Sequence, residues 1–299
     1  MSIYKKQSKP INFTLLKKRL IRQAHASKKS FEKAYPHAVE FLTKKEIELG
    51  DIRQHATRLL ASGMVAGSLM LAAPSISHLT TPDSVRYADL SQFERETLLS
   101  RDLVAQLPEK GFALTPEQEE EISNLIKAYW DITAYPILDN KRLNHSYGLM
   151  GGEQHLPRFP GDNVFLHDAL QRAGITPARG AWGYFASSKS ALTPDLIQKE
   201  KYYVAVQTLY LPDWNSNWTE LKEWYKFRKV VVVNPKNGKT VVADIADAGP
   251  ANWTGKQFGG SPELMRYLDL YKGMMKGEVI LFFVDDPNDM VPLGPVQYN

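Results

Sequence analysis

The clearest hydrophobic pattern in the chain begins after residue 228. Val230 to Val233 form a run of β-branched residues, and Thr240 to Ile245 form a second apolar run. Asn237-Gly238 stands between the two runs, and both residues tolerate the positive φ of a tight turn. The pattern therefore predicts a β-hairpin whose turn lies at Asn237-Gly238.

The same region continues with a helix signal and another strand. Ser261-Pro262-Glu263 is typical of a helix start, because Ser can cap the first turn, Pro fits it and Glu favours the helix dipole. The apolar run from Val279 to Val284 predicts a buried strand. Asp247 follows the hairpin and precedes Gly249-Pro250, so we expect it on a tight turn that faces a cleft.

Several of these motifs resemble one family of barrels. Asn-Pro-Lys-Asn-Gly-Lys-Thr-Val-Val, followed by Asp247-Ala-Gly-Pro250, resembles the double-psi β-barrel of rare lipoprotein A and its expansin and barwin relatives. Ala205 to Pro212 loosely resembles an earlier strand of those barrels, and Ser261 to Leu270 resembles their helix. The resemblance covers roughly residues 180 to 286. It implies an α+β chain with a C-terminal six-stranded double-psi β-barrel and an inserted short helix.

The resemblance also implies an activity. It points to a lytic transglycosylase-like enzyme that cuts the glycan strands of peptidoglycan without a cofactor. The family residue that matches Asp247 is the proposed general acid–base. One carboxylate can suffice, because the sugar's own 6-hydroxyl attacks and gives a 1,6-anhydro product, whereas most glycosidases use two. A structural turn-capping role is the alternative for Asp247.

The chain departs from the family at two places. Gly259-Gly260 stand just before the helix, where the family has an Asp, and Gln207 stands where the family has a His. Asp244, Glu153 and His155 are candidates to replace the missing groups. The departures also leave open a second function, a non-catalytic expansin-like module that binds peptidoglycan.

Residues 144 to 162 are rich in Gly, Pro and polar side chains, as loops that line sites often are. Glu153 and His155 are therefore candidates for substrate contact, although the loop could instead clasp the barrel. His145, Glu153 and His155 could also hold a metal, but their spacing matches no helical zinc motif, and no metal is predicted.

Aromatic side chains supply further candidates for substrate binding. Trp182, Trp224 and Trp253 could each stack on a sugar ring, with core packing as the alternative for each. Gln207 is a further candidate for substrate contact. Caps and apolar runs predict the remaining elements: helices from Thr115, from Thr193, between Leu90 and Leu107 and from Asp162 to Gly174, a first barrel strand at Arg179 to Ala186, and a strand at Tyr202 to Tyr210.

Charge is distributed unevenly along the chain. Residues 1–58 contain 14 Lys+Arg and 5 Asp+Glu, a net charge of +9, and the whole chain carries +4, so the remainder carries −5. Leu59 to Leu79 has no charged side chain, and about 20 residues suffice to cross a bilayer. The basic flank predicts a cytoplasmic N-terminus, with the rest of the chain beyond the membrane. A retained anchor, a cleaved signal and a buried soluble helix are the alternatives.

Four parts follow from these patterns. They are a basic head at 1–58, a membrane helix at 59–79, an extracytoplasmic helical and loop region at 80–178 and the barrel at 179–299. The predicted partners are peptidoglycan glycan strands, the membrane and a possible cytoplasmic partner of the head, and no nucleic acid. The chain has no Cys, which excludes disulfides, Cys-ligated zinc and a lipid-modified Cys.

Overall fold

A computed structural model of the protein describes residues 87, 90–167 and 170–297. These residues belong to a compact unit that spans Asp83–Asn299. The predictions for the basic head at 1–58 and the membrane helix at 59–79 lie outside the described residues. Within the described part of the chain, no helix combines the length and the apolar character needed to cross a membrane.

The architecture is α+β, with a β-barrel in its C-terminal part. The helices are α1 Gln92–Gln106, α2 Pro116–Trp130, α3 Pro194–Lys201, α4 Trp214–Tyr225 and α5 Pro262–Tyr267. The strands are β1 Ala134–Tyr135, β2 Ile137–Leu138, β3 Lys141–Arg142, β4 Tyr147–Gly152, β5 Tyr203–Val206, β6 Lys229–Val233, β7 Thr240–Ala248, β8 Phe258–Gly260, β9 Lys276–Val284 and β10 Gly294–Pro295.

Six of the strands close into a barrel of mixed direction. The order around the barrel is β4, β8, β5, β7, β6, β9 and back to β4. The β4–β8 and β5–β7 pairs are parallel, and the other four pairs are antiparallel. The prediction of a six-stranded barrel with a short inserted helix is therefore confirmed.

The barrel buries both faces of its longest apolar strands. Val230 and Val232 of β6 point to the barrel interior, where they pack with Ile245 and Leu281. Val231 and Val233, on the opposite face, join the core that α1 and α2 cover. A strand alternates its side chains between two faces, so burial on both sides explains the unbroken run of valines.

The hairpin and the helix start are confirmed. Strands β6 and β7 pair antiparallel up to Val233 and Thr240, and Gly238 in their connection has a φ of +71°. Gly238 is needed there for a second reason, because a Cβ would collide with the backbone carbonyl of Glu96 in α1. Ser261 caps α5, since its hydroxyl accepts the Leu264 N–H at 3.3 Å.

The predicted first barrel strand at Arg179 to Ala186 is wrong. That segment is irregular, with a single bridge between Gly180 and Gly183. The strand that completes the barrel is β4, from within the region predicted as a loop. Its three glycines suggested a loop, but Gly148 and Gly151 are required because the side chains of Gln257 and Lys256 lie where their Cβ atoms would be.

The predicted helix from Asp162 to Gly174 is also wrong. Two short 3-10 turns, Val164–Leu166 and Gln171–Ala173, stand in its place. Leu170 between them has a φ of +55°, which a right-handed helix excludes. The Asp162 carboxylate is also occupied, because it accepts the backbone and side-chain N–H groups of Arg158 at 2.8 and 3.2 Å.

Candidate active site

Asp247 lies near the end of β7, within the strand and not on the tight turn expected after it. Its Oδ1 atom accepts the backbone N–H of Ala181 at 2.8 Å and that of Ala248 at 2.9 Å. The side chain is partly exposed. Burial raises the pKa of Asp247, and the two N–H groups oppose this shift without cancelling it. A carboxyl that keeps its proton more easily than usual, at the rim of a barrel, can act as a general acid.

Glu153 reaches the same region from the neighbouring part of the barrel. It follows β4 directly, and its N–H donates to the Gly260 carbonyl at 2.8 Å. Burial raises the pKa of Glu153; the charge of Lys256 lowers it and that of Asp247 raises it. The negative charge of Asp247 therefore helps Glu153 to hold a proton.

Gly259 makes room for the Glu153 side chain. The Glu153 carboxylate lies where a Cβ of residue 259 would be, against the bare backbone of β8. Strands β4 and β8 are parallel here, with Gly151 opposite Gly259. Where the resemblance leads us to expect an Asp side chain next to the helix, this chain has a carboxylate from the adjacent strand.

Gln207 holds the loop between β7 and β8. Its Nε2 atom donates to the Pro250 carbonyl at 2.9 Å and to the Lys256 carbonyl at 3.0 Å. The side chain is buried, and both amide hydrogens are used by these two contacts. Gln207 thus fixes the ends of the loop that carries Trp253, while its role as a substrate contact stays a prediction.

The three candidate tryptophans lie in different environments. Trp253 is 88% exposed, in a 3-10 turn of the β7–β8 loop. Trp182 is buried in the core, where its Nε1 donates to the Lys222 carbonyl at 2.7 Å. Trp224 packs against the core and carries the guanidinium of Arg228 over its ring at 4.4 Å. Among these three, only Trp253 offers a free aromatic face.

His155 and Asp244 point away from solvent. His155 is fully buried, and its Nδ1 lies 3.1 Å from a Glu200 oxygen. Burial lowers the pKa of His155, but the hydrogen bond and charge of Glu200 raise it overall. Asp244 is also fully buried, 3.7 Å from the Lys199 amine, and burial raises its pKa to about 8. Neither residue is in a position to reach a large substrate from solvent.

A cavity of about 440 Å³ lies beside α4 and includes Arg142, Asn144 and Tyr225 in its wall. None of the predicted site residues lines it. It is connected to the site indirectly, because Asn144 donates to the Gln207 carbonyl at 3.4 Å. We place the candidate site at Asp247, since that is where titratable groups with raised pKa values converge.

Two functional groups at the site had no sequence signal. The Ala181 N–H that binds Asp247 comes from an irregular segment 66 residues away. Lys256 is one of many lysines, and only the close approach of β8 and β4 places it near Glu153. No protein-family model matches this chain, and no curated protein matches it significantly.

Proposed function

We propose that the protein is a glycan-cleaving enzyme of the lytic transglycosylase type, with a double-psi barrel and with peptidoglycan as its substrate. The observation that carries the proposal is that Asp247 and Glu153, two partly buried carboxyls, both have raised pKa values and that the charge of Asp247 acts on Glu153. General acid catalysis at neutral pH requires a carboxyl in such an environment.

In this mechanism Asp247 is the general acid–base. Its proton passes to the glycosidic oxygen as the bond between that oxygen and C1 breaks. The sugar's 6-hydroxyl then bonds to C1, and its proton returns to the Asp247 carboxylate. No water is consumed, and the product carries a 1,6-anhydro ring. Burial favours the protonated form of Asp247 that the first step needs, and Glu153, whose pKa the charge of Asp247 raises, is the second carboxyl of the site.

The surroundings suit an extended sugar polymer. Trp253 presents an uncovered aromatic face in the loop that follows the strand bearing Asp247, and aromatic planes pack well on the apolar faces of sugars. We propose further that the barrel acts beyond the membrane, anchored through residues 59–79, and that the basic head at 1–58 meets a cytoplasmic partner. The charge distribution supports this arrangement.

A non-catalytic wall-binding module is the second candidate. The observation in its favour is that Oδ1 of Asp247 already accepts two backbone N–H groups, as a structural carboxylate would. In that case Asp247 ties β7 to the segment around Ala181, and Trp253 carries the glycan affinity alone.

Turnover of peptide-free glycan strands separates the two functions. We expect the wild-type protein to release fragments with anhydro-muramyl ends, identified by mass spectrometry, and Asp247→Asn to lose about 10²–10⁴-fold in rate. Asp285→Asn, at an exposed position just after β9, is the matched control and should be fully active. Binding without turnover by the wild type would favour the binding module, and full activity of Asp247→Asn would refute the catalytic role.

A further inference from the structure

A second group of titratable side chains lies behind the candidate site, inside the protein. His155 Nδ1 is 3.1 Å from Glu200 Oε1, and His167 Nδ1 is 3.3 Å from Glu200 Oε2. All three side chains are buried, with at most 3% of any of them exposed. The two imidazole rings are 4.4 Å apart between centroids. The proposed glycan chemistry uses none of these groups.

The contacts of the two Nε2 atoms determine the protonation of the Nδ1 atoms that face Glu200. His155 Nε2 lies 3.4 Å from the Leu170 carbonyl, and His167 Nε2 lies 3.2 Å from Asp162 Oδ2. A carbonyl and an ionised carboxylate only accept hydrogen bonds, so each Nε2 carries the hydrogen. In a neutral imidazole each Nδ1 is then a hydrogen-bond acceptor, and it faces a Glu200 oxygen that is also an acceptor. The two lone pairs repel each other. A positive charge between them resolves this conflict, and either a proton on the imidazole or a metal ion can supply it.

The charges around the pair leave a negative excess. Glu200, Glu263 and Asp162 contribute three carboxylates, whereas Arg158, bound to Asp162, and Lys201, whose charge acts on Glu263, contribute two positive charges. With neutral histidines the net charge is −1. Glu263 Oε2 is buried without a hydrogen-bond partner and lies 3.9 Å from His155 Nδ1. A metal cation would supply the missing positive charge and give this oxygen a partner.

We propose that His155, His167 and Glu200, with Glu263 as the fourth ligand, form a binding site for one Zn²⁺ ion. Zinc bonds of about 2.0–2.1 Å to nitrogen and oxygen in a tetrahedron put neighbouring ligand atoms about 3.3 Å apart. The two contacts between histidine and Glu200 match this spacing at 3.1 and 3.3 Å, each to a different oxygen, and one ligand atom from each of the three residues lies within 4.8 Å of the other two. Imidazoles that bind metals usually donate their other N–H to a carboxylate or a carbonyl, as both rings do here.

The proposed site is a structural metal site, not a second active site. Its ligands come from the segment after β4, from the 3-10 region, from α3 and from α5, and burial leaves no path for a substrate. His155 follows Glu153 by two residues, so the ion would fix the segment that brings Glu153 to the candidate site. The zinc proposal depends on the geometry of these buried groups and stands whether or not the protein cleaves glycans.

Zinc uptake by the full chain tests the proposal. We expect protein stripped with a chelator to bind one Zn²⁺ per chain in calorimetric titration. A free zinc concentration 100-fold above Kd should raise Tm by roughly 5–10 °C. His155→Gln, His167→Gln and Glu200→Gln should each lose this site. His145→Gln, a partly buried histidine outside the cluster, is the matched control and should keep it.

Two further measurements keep the test valid if the buried variants fail to fold. X-ray absorption at the zinc edge of the wild type should show two imidazole ligands among nitrogen and oxygen neighbours. Asp162→Asn, which leaves the proposed ligands in place and alters the group that supports His167 and binds Arg158, should weaken zinc affinity by about 10–100-fold. Wild type that takes up no zinc, bound zinc without imidazole ligands, or full uptake in folded His155→Gln and His167→Gln would each overturn the proposal.

Discussion

The Glu153 carboxylate occupies the space in which a side chain of residue 259 would begin, and glycine at that position makes the contact possible. The two residues belong to adjacent parallel segments, because Glu153 follows β4 and Gly259 lies in β8. One backbone position without a side chain thus makes room for a carboxylate from the neighbouring segment, whose pKa the charge of Asp247 raises. The candidate site is built across two strands that are distant in sequence.

Gly259→Ala tests this relationship. The added methyl group would displace the Glu153 carboxylate, and overpacking of this kind costs about 1–3 kcal/mol. We expect that loss in the free energy of unfolding, together with a loss of glycan turnover. In a Glu153→Ala background Gly259→Ala should cost much less stability, because the carboxylate that the added methyl group would meet is gone. A double-mutant cycle measured by urea unfolding gives the coupling, and equal costs in both backgrounds would contradict the contact.

Trp253→Ala should weaken glycan binding without weakening the fold. The side chain is 88% exposed, so its removal should change the free energy of unfolding by less than about 0.5 kcal/mol. An aromatic contact of about 0.5–1.5 kcal/mol corresponds to roughly 2- to 12-fold in affinity. Trp218→Ala, at a 54% exposed position in α4, is the matched control and should bind normally. Equal binding by both variants, measured on immobilised glycan, would remove Trp253 from the site.

Gln207→Glu should loosen the loop that carries Trp253. The substitution keeps the shape but replaces a donor by an acceptor that faces the carbonyls of Pro250 and Lys256. Leaving a buried acceptor unpaired costs about 1–3 kcal/mol, and these partly buried carbonyls should cost less. Protonation of the new carboxyl restores one donor, so the loss should be smaller at pH 4 than at pH 7. Denaturant unfolding at both pH values checks this, with the exposed Gln198→Glu as control.

Asp244 should make stability fall as the solution becomes more alkaline. Its pKa in the folded protein is about 8, well above the value of about 3.9 in an unfolded chain. Between these pH values the folded state holds a proton that the unfolded state has lost, so the free energy of unfolding decreases with rising pH. The slope reaches at most about 1.4 kcal/mol per pH unit and flattens above the folded pKa.

Asp244→Asn isolates this contribution. The amide cannot ionise, so the free energy of unfolding of the variant should fall less steeply than that of the wild type between pH 5 and pH 8. Relative to the wild type, the variant should therefore become more stable as the pH rises. Thermal or urea unfolding at several pH values gives the difference between the two curves. Asp285→Asn should leave the pH dependence unchanged. Parallel curves for wild type and Asp244→Asn would show that Asp244 is ionised throughout.

Local chemistry determined several elements from the sequence alone. The hairpin turn at Asn237-Gly238 and the starts of α2, α3 and α5 were predictable, because turn and capping preferences depend on a few consecutive residues. The valine run of β6 was predictable because burial on both faces needs an apolar residue at every position. The sequence also singled out Asp247 as a candidate, although the structure places it inside β7 and not after that strand.

Tertiary contacts decided the rest. Strand β4 carries three glycines that suggest a loop, and it is a strand because neighbouring side chains fill the space above Gly148 and Gly151. The pairing of Glu153 with Asp247 depends on strand order, which joins segments 94 residues apart. His155, His167 and Glu200 have no spacing that indicates a metal, because three separate elements bring them together. Such long-range placement is fixed by packing of the whole barrel, and no local pattern contains it.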